Sequence, residues 1–246
     1  MTHADPAPTP APTGGPGFQA ELEQLAAALV DHHVFSIPNM RAFHAGTWTD
    51  LALYRRHMTE AVLRIRLNNE VDAYCLYKIA RRDVPLAQKL ARYLAEEFGH
   101  EFMFGRDLEA LGVSAEALEA TEVFPATRML IGFLHHTCEV DDGMSTMVWN
   151  WFVEWYSDRY NGAITARAAE AFGHGTTRGA AAHLAIDERS DHEGLMFSTV
   201  RAVIRRPGDE DRVRQYLGSL VDLVGQYFRQ LVAATLPVTP TAELHP

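Results

Sequence analysis

Two long stretches of helical periodicity, joined by the short break Arg82-Asp83-Val84-Pro85, constrain this chain more than any other feature. From Leu51 to Arg81 apolar residues recur at helical spacing on two faces. Tyr54, Met58, Ala61, Ile65, Asp72 and Leu76 lie along one; Leu63, Leu67, Glu70, Tyr74 and Tyr77 lie along the other. A helix that is apolar on two sides belongs inside a bundle. Pro85 suits the first turn of a second helix, predicted to run to Leu111 and stop at Gly112. So short a break folds the two helices antiparallel. Glu70 and Glu97 lie equally far from its middle and are expected to face each other.

Outside this hairpin the pattern stays helical and no strand is predicted. Residues 1–17 are rich in Pro, Ala, Thr and Gly, and are expected to be a disordered tail, as are residues 237–246. Residues 18–236 are expected to form one domain. Its remaining helices are Phe18–Asp31, a short one opened by Pro38, Ser114–Ala120, Pro125–Glu139, Gly143–Phe172, Ala180–Arg206 and Glu210–Leu236. His32, His33 and His44 read as polar histidines of a connector.

The candidate chemistry lies on the inward faces. Glu97 and His100, three residues apart, share one side of a helix turn within an apolar setting. Glu154 has Trp151 and Trp155 beside it, which suits a buried carboxylate; the alternative is an exposed one paired with Arg159. Extending the apolar stripe Met196–Val200 backwards in steps of four gives His192, Glu188 and Leu184. His183, Asp187 and Asp191 form a competing set on the adjacent face. Glu60, with Arg56 and Arg64 one turn to either side, reads as a surface ion-pair ladder. Glu70, Glu97, Glu154 and Glu188 with His100 and His192 thus make four carboxylates and two imidazoles. Unpaired and buried, such carboxylates would be very costly. Hard oxygen donors that can bridge, together with two nitrogens, suit a pair of iron or manganese ions in a helical bundle.

Bulk properties exclude other classes. The net charge of −10 and pI near 5.6 leave no basic stripe for nucleic acid or an anionic membrane. No apolar run approaches bilayer length, and the start is not a basic segment followed by an apolar one. Two cysteines, Cys75 and Cys138, give no disulfide framework, so a cytoplasmic location is expected.

The segment from about His32 to Val113, with HHVFSIPNMRAF and LAEEFGHEFMFGRDLEALG, resembles the start of the haem-oxygenase-like fold of PqqC and TenA proteins. Over roughly residues 20–235 the full set of carboxylates and histidines is similar to that of the haem-oxygenase-like diiron oxidases. The resemblance implies an all-α, haem-oxygenase-like bundle of about seven helices, two Fe(II) ions, and O2 as co-substrate. It implies oxidation of a small amino acid or carboxylic acid in secondary metabolism, by N-oxygenation, desaturation or oxidative C–C cleavage. An external electron donor and a homodimer fit the same picture. By position, Glu97 and His100 match the family's Glu and His of the second core helix, Glu154 its lone glutamate, and His192 its late histidine. Glu188 takes the place of the carboxylate one turn before that histidine. The commoner family arrangement is His-x3-Asp-x2-His; His183 and Asp187 fit its first two places, but Ser190 stands in the third. The alternative ligands are therefore His183, Asp187 and Asp191, with Glu60 as the alternative to Glu70. Arg128, His135 and Trp151 are the candidates for substrate contact. A thiaminase-like hydrolase is excluded, because MVWNWFVEW lacks the cysteine it needs. Two readings remain beside the oxidase: a metal-free PqqC-like oxidase or ligand binder, and a helical interaction module.

Overall fold

The structure is a computed structural model that describes residues 16–187 and 190–237. Both expected tails lie almost wholly outside these residues, as does Glu188. The described residues form twelve α-helices and no strand: α1 (Pro16–His33), α2 (Met40–His44), α3 (Leu51–Ala80), α4 (Val84–Glu97), α5 (His100–Ala110), α6 (Ala115–Glu119), α7 (Pro125–Val140), α8 (Met144–Tyr156), α9 (Gly162–Phe172), α10 (Arg178–Asp187), α11 (His192–Val203) and α12 (Asp209–Thr235). A π-helical turn, Ser157–Asn161, joins α8 to α9, and a 3-10 turn, His174–Thr177, precedes α10. None of these helices is long and apolar enough to cross a membrane.

The count exceeds seven chiefly because long predicted helices are interrupted. Pro85–Leu111 divides at Phe98-Gly99, where Gly99 takes a φ of 105° that other residues rarely adopt. Gly143–Phe172 is interrupted by the π turn. Ala180–Arg206 divides after Asp187, and Asp191 starts α11 by accepting a hydrogen bond from the Gly194 N–H at 2.9 Å. Capping residues hold the other starts: Asp50 accepts from Leu53 N, Asp83 from Leu86 N and Ser114 from Ala117 N.

Helix α3 packs against α4, α5, α7 and α12, while α8 packs against α7, α11 and α12. The core between them holds Trp151, Trp155, Tyr54, Phe43, Phe152 and Phe228, all fully buried. Two buried carboxylates tie helix ends to this frame. Glu60, 0% exposed, accepts from Phe124 N (2.8 Å) and the Thr127 hydroxyl (2.5 Å) at the start of α7, and pairs with Arg56 (2.7 Å). It is therefore an internal cap and not part of a surface ladder, because α7 lies over that face of α3. Asp107 on α5 accepts from Gly179 N and Ala180 N, both at 2.8 Å, and so caps α10 from outside. Gly179 lets α10 come this close, since a Cβ there would overlap the Met103 carbonyl.

His44 also departs from the expected polar connector. It is 2% exposed, its Nδ1–H donates to the Met40 carbonyl (2.6 Å), and its Nε2 accepts from the Tyr156 hydroxyl. Both nitrogens are used in the neutral ring, and burial pushes its pKa down to about 4.

Two outcomes follow from these packing contacts. Gly179→Ala should destabilise the chain by about 1–3 kcal/mol in denaturant melts, because backbone must move to admit the methyl. His44, neutral when folded and free to protonate when unfolded, contributes stability that is full above pH 6.5 and is lost as pH falls through about 4. That loss should be on the order of 3 kcal/mol, and His44→Gln should flatten the pH dependence across this window.

Candidate metal centre

The interruptions in the α4–α5, α8–α9 and α10–α11 runs surround one cluster. Glu97 is the last residue of α4 and His100 the first of α5, so their motif straddles a bend and does not lie on one straight helix. Glu154 projects from α8 just before the π turn, a feature frequent at functional sites. His183 and Asp187 lie one turn apart on α10, and His192 opens α11.

These six residues converge. His100 Nδ1 is 2.9 Å from Glu97 Oε2, and the rings of His100 and His183 are 4.3 Å apart. His183 Nδ1 is 2.9 Å from Asp187 Oδ2. His192 Nδ1 has three carboxylate oxygens around it: Glu97 Oε1 at 3.5 Å, Asp187 Oδ1 at 3.5 Å and Glu154 Oε2 at 3.8 Å. Two donor groups result, Glu97–His100–His183 and Glu97–Glu154–His192, and within each the donor atoms all lie within 4.8 Å of one another. Glu97 belongs to both, and Asp187 touches a histidine of each.

Neighbouring side chains fix the donors. Glu96 accepts from His192 Nε2–H at 2.8 Å, which turns the Nδ1 lone pair toward the carboxylates. The Tyr93 hydroxyl donates to Glu154 Oε1 at 2.6 Å, and its ring meets His192 edge-on. The electrostatics are those of crowded, desolvated charge. Burial first, and then Glu97, pushes Glu154 up to about 8. Asp187 raises His192 to about 9. Burial would raise Asp187 too, but His183 and His192 overcome it and hold it down at about 2.

The donor set fits a metal pair. Glu97 Oε1, both Asp187 oxygens and His192 Nδ1 are sequestered from solvent and make no well-formed hydrogen bond. Such atoms are costly unless a cation satisfies them. Three carboxylates and three imidazoles, with two carboxylates shared between the halves, are the oxygen-and-nitrogen mix that iron or manganese takes.

The expected ligands fare differently one by one. Glu97, His100, Glu154 and His192 lie together, joined by His183 and Asp187 from the competing set. His192, and not Ser190, lies with His183 and Asp187; it opens α11, whereas His183 and Asp187 belong to α10. Asp191 is exposed and occupied as the α11 cap. Glu60 is held by α7, as described above. Glu70 is exposed and outside the cluster; it lies on a different face of α3 from the cavity stripe, and the α3 carboxylate near Glu97 is Asp72, two residues further on. Asp72 is 1% exposed, accepts from Asn68 (2.7 Å) and Asn150 (2.9 Å), and is pushed up to about 7 by burial. The sequence signal for it was its place in the stripe with Tyr54, Met58, Ala61 and Ile65, all of which line the cavity beside the cluster.

That cavity, of about 190 Å³, reaches from Glu97, His100, Glu154 and His183 along α3 to His57 and Arg64. Arg128, His135 and Trp151 do not line it. Arg128 is exposed and pairs with Glu122 (2.5 Å), His135 packs against Tyr74, and Trp151 is buried against Trp155 and Phe197. Tyr93, Glu96 and Arg64 were missed, because a single tyrosine, a second glutamate and a helix arginine carry no spacing of their own.

A family of iron-containing redox enzymes matches residues 61–223, the span that carries every residue of the cluster. The chain belongs to this family of iron-containing redox enzymes. Solved structures show the same fold at low identity. A domain of unknown function with a heme oxygenase-like fold from Shewanella denitrificans is 22% identical and superimposes with a TM-score of 0.72, over 88% of this chain and 92% of that one. A TenA homolog from Pseudomonas syringae pv. tomato is 17% identical, with a TM-score of 0.72 over 95% of this chain and 100% of that one. A CADD-like protein of unknown function from Nostoc punctiforme is 16% identical, with a TM-score of 0.69 over 91% and 100%. No curated protein matches the sequence significantly. The fold of this family member is thus the haem-oxygenase-like helical bundle.

If Glu96 orients His192, Glu96→Ala should lower ferrous affinity about tenfold to a hundredfold in anaerobic chelator competition. The melting temperature should change little, because Glu96 is partly exposed.

Proposed function

We propose that this iron-containing redox enzyme is a non-haem diiron oxidase that uses O2 to oxidise a small amino acid or carboxylic acid. The observation that carries the reading is Glu97, whose carboxylate belongs to both donor groups and so can serve two ions at once. His100 and His183 would hold one ion, Glu154 and His192 the other, with Glu97 and Asp187 between them. Bound there, a ferrous pair supplies the electrons that activate O2.

The chain's own residues set the conditions. Tyr93 keeps its proton, since burial and the nearby carboxylates raise it well above the usual phenol range. It therefore donates to Glu154 Oε1 and limits how that carboxylate can swing. Glu96 holds the proton on His192 Nε2, leaving Nδ1 as the donor. Phe104, Val153, Ile164 and Leu184 line the cavity with apolar surface and limit water near the cluster. Asn68 and Asn150 hold Asp72 in the cavity wall, where its carboxyl can keep or lose a proton near neutral pH.

Anaerobic titration should load two ferrous ions per chain, read by elemental analysis and by the change in absorbance on adding O2. Glu97→Ala should bind neither tightly, whereas Glu154→Ala should retain the ion of the His100–His183 half. A wild-type chain that takes up no iron and shows no O2-dependent absorbance would sink the diiron reading and favour a metal-free function of the fold.

A further inference from the structure

One cavity is lined by charges of both signs: Asp72, Glu97 and Glu154 on one hand and Arg64 on the other. Arg64, Asn68 and Asp72 follow one another at four-residue intervals along α3, so Arg64 and Asp72 are roughly 12 Å apart along the helix axis.

Among the described residues, Arg64 is a cation without an anion. Its natural helix partner is Glu60, one turn before it. Glu60 is instead taken up by Arg56 and by the Phe124 and Thr127 donors of α7. One turn after it, Asn68 is neutral and is engaged with Asp72 and the Trp149 indole. Among the described residues Arg64 has no ion-pair partner. Its guanidinium carbon lies 5.4 Å from the Tyr227 ring, with His57 and Tyr156 as further cavity neighbours. None of these neutralises it: His57 Nδ1 is bonded to the Tyr227 hydroxyl at 2.6 Å, and burial holds the imidazole down at about 3.

Arg64 lines two cavities. A second cavity, of about 60 Å³ and lined mainly by Leu130, Phe152, Leu223 and Val224, meets the first at Arg64, His57, Trp149, Val153 and Tyr156. The guanidinium is the only Arg or Lys side chain among the residues lining either cavity. A half-buried guanidinium lining a cavity, with no ion-pair partner among the described residues, offers the fork of N–H donors that recognises a carboxylate through two parallel charge-assisted hydrogen bonds.

We propose that Arg64 is the substrate-anchoring residue: it binds the substrate's carboxylate in the cavity beside the metal cluster, so that the remainder of a small carboxylic or amino acid is presented for oxidation. The volume of about 190 Å³ restricts the substrate to a small molecule. The proposal rests on the oxidase reading for the identity of the reacting end, and not for the contact with Arg64.

Binding is therefore measured on the full chain without added metal, by thermal shift and calorimetry. The probes are hexanoate against hexanamide, and L-norleucine against L-norleucinamide. Each carboxylate should raise the melting temperature with dose, and its amide should not. Arg64→Gln should weaken carboxylate binding about tenfold to a hundredfold and leave iron stoichiometry unchanged. Arg64→Lys, which keeps the charge but loses the fork, should fall between. An independent measurement needs no variant: hexanoate should protect Arg64 from phenylglyoxal, read by peptide mass mapping. Carboxylates that bind no better than their amides, an Arg64→Gln chain that binds them like wild type, or an unprotected Arg64 would each overturn the assignment. Failure of the diiron reading is distinguished by iron content alone, since a chain that binds no iron can still show the carboxylate preference.

Discussion

Everything around the centre answers to one constraint: three carboxylates and three imidazoles are packed where water solvates them poorly. Glu97, Glu154 and Asp187 crowd the same small volume as His100, His183 and His192. Desolvation penalises every charge there, and only opposite charges or donors at close range offset it. The supporting shell is arranged accordingly. Tyr93 and Glu96 each satisfy one outward-facing atom of a cluster residue, and the remaining atoms are left to face one another. The frame then holds the crowd in place: Asp107 caps α10, and Gly179 allows the two backbones to meet.

Much of the architecture could be read from periodicity. The ends of α3, the turn at Asp83–Pro85, the Ser114 cap and the span of α12 follow from local rules that packing does not override. Within the cluster, Glu97 with His100 was legible because two polar residues interrupt an apolar face at one-turn spacing. Asp72 was legible too, in its stripe, but a count across the turn pointed to Glu70. A difference of two residues rotates a side chain by more than half a turn, so a count that is nearly right selects the wrong face.

What could not be read has a common cause. The bend at Gly99, the π turn after Glu154 and the break after Asp187 all lie at the cluster, and each changes helical phase. Extrapolating a stripe assumes constant phase, and that assumption fails at a site assembled from helix ends. Arg64 escaped for the opposite reason. Its helix neighbours looked sufficient, and only the tertiary contact of α7 with Glu60 removes its partner. A buried cap on α3 thus leaves a cavity residue one turn away without its helix partner.

The break between Asp187 and His192 also bears on how such sites diverge. Along a continuous helix, inserting two residues between ligands would swing the second one away from the first. Here the two residues belong to separate helices, α10 ending at Asp187 and α11 starting at His192, so the pitch of one helix does not fix their relative placement. The site can accept insertions between its last two donors without losing either. Relatives that bind the same way therefore need share no fixed spacing across this segment, and a search by rigid motif would pass over them.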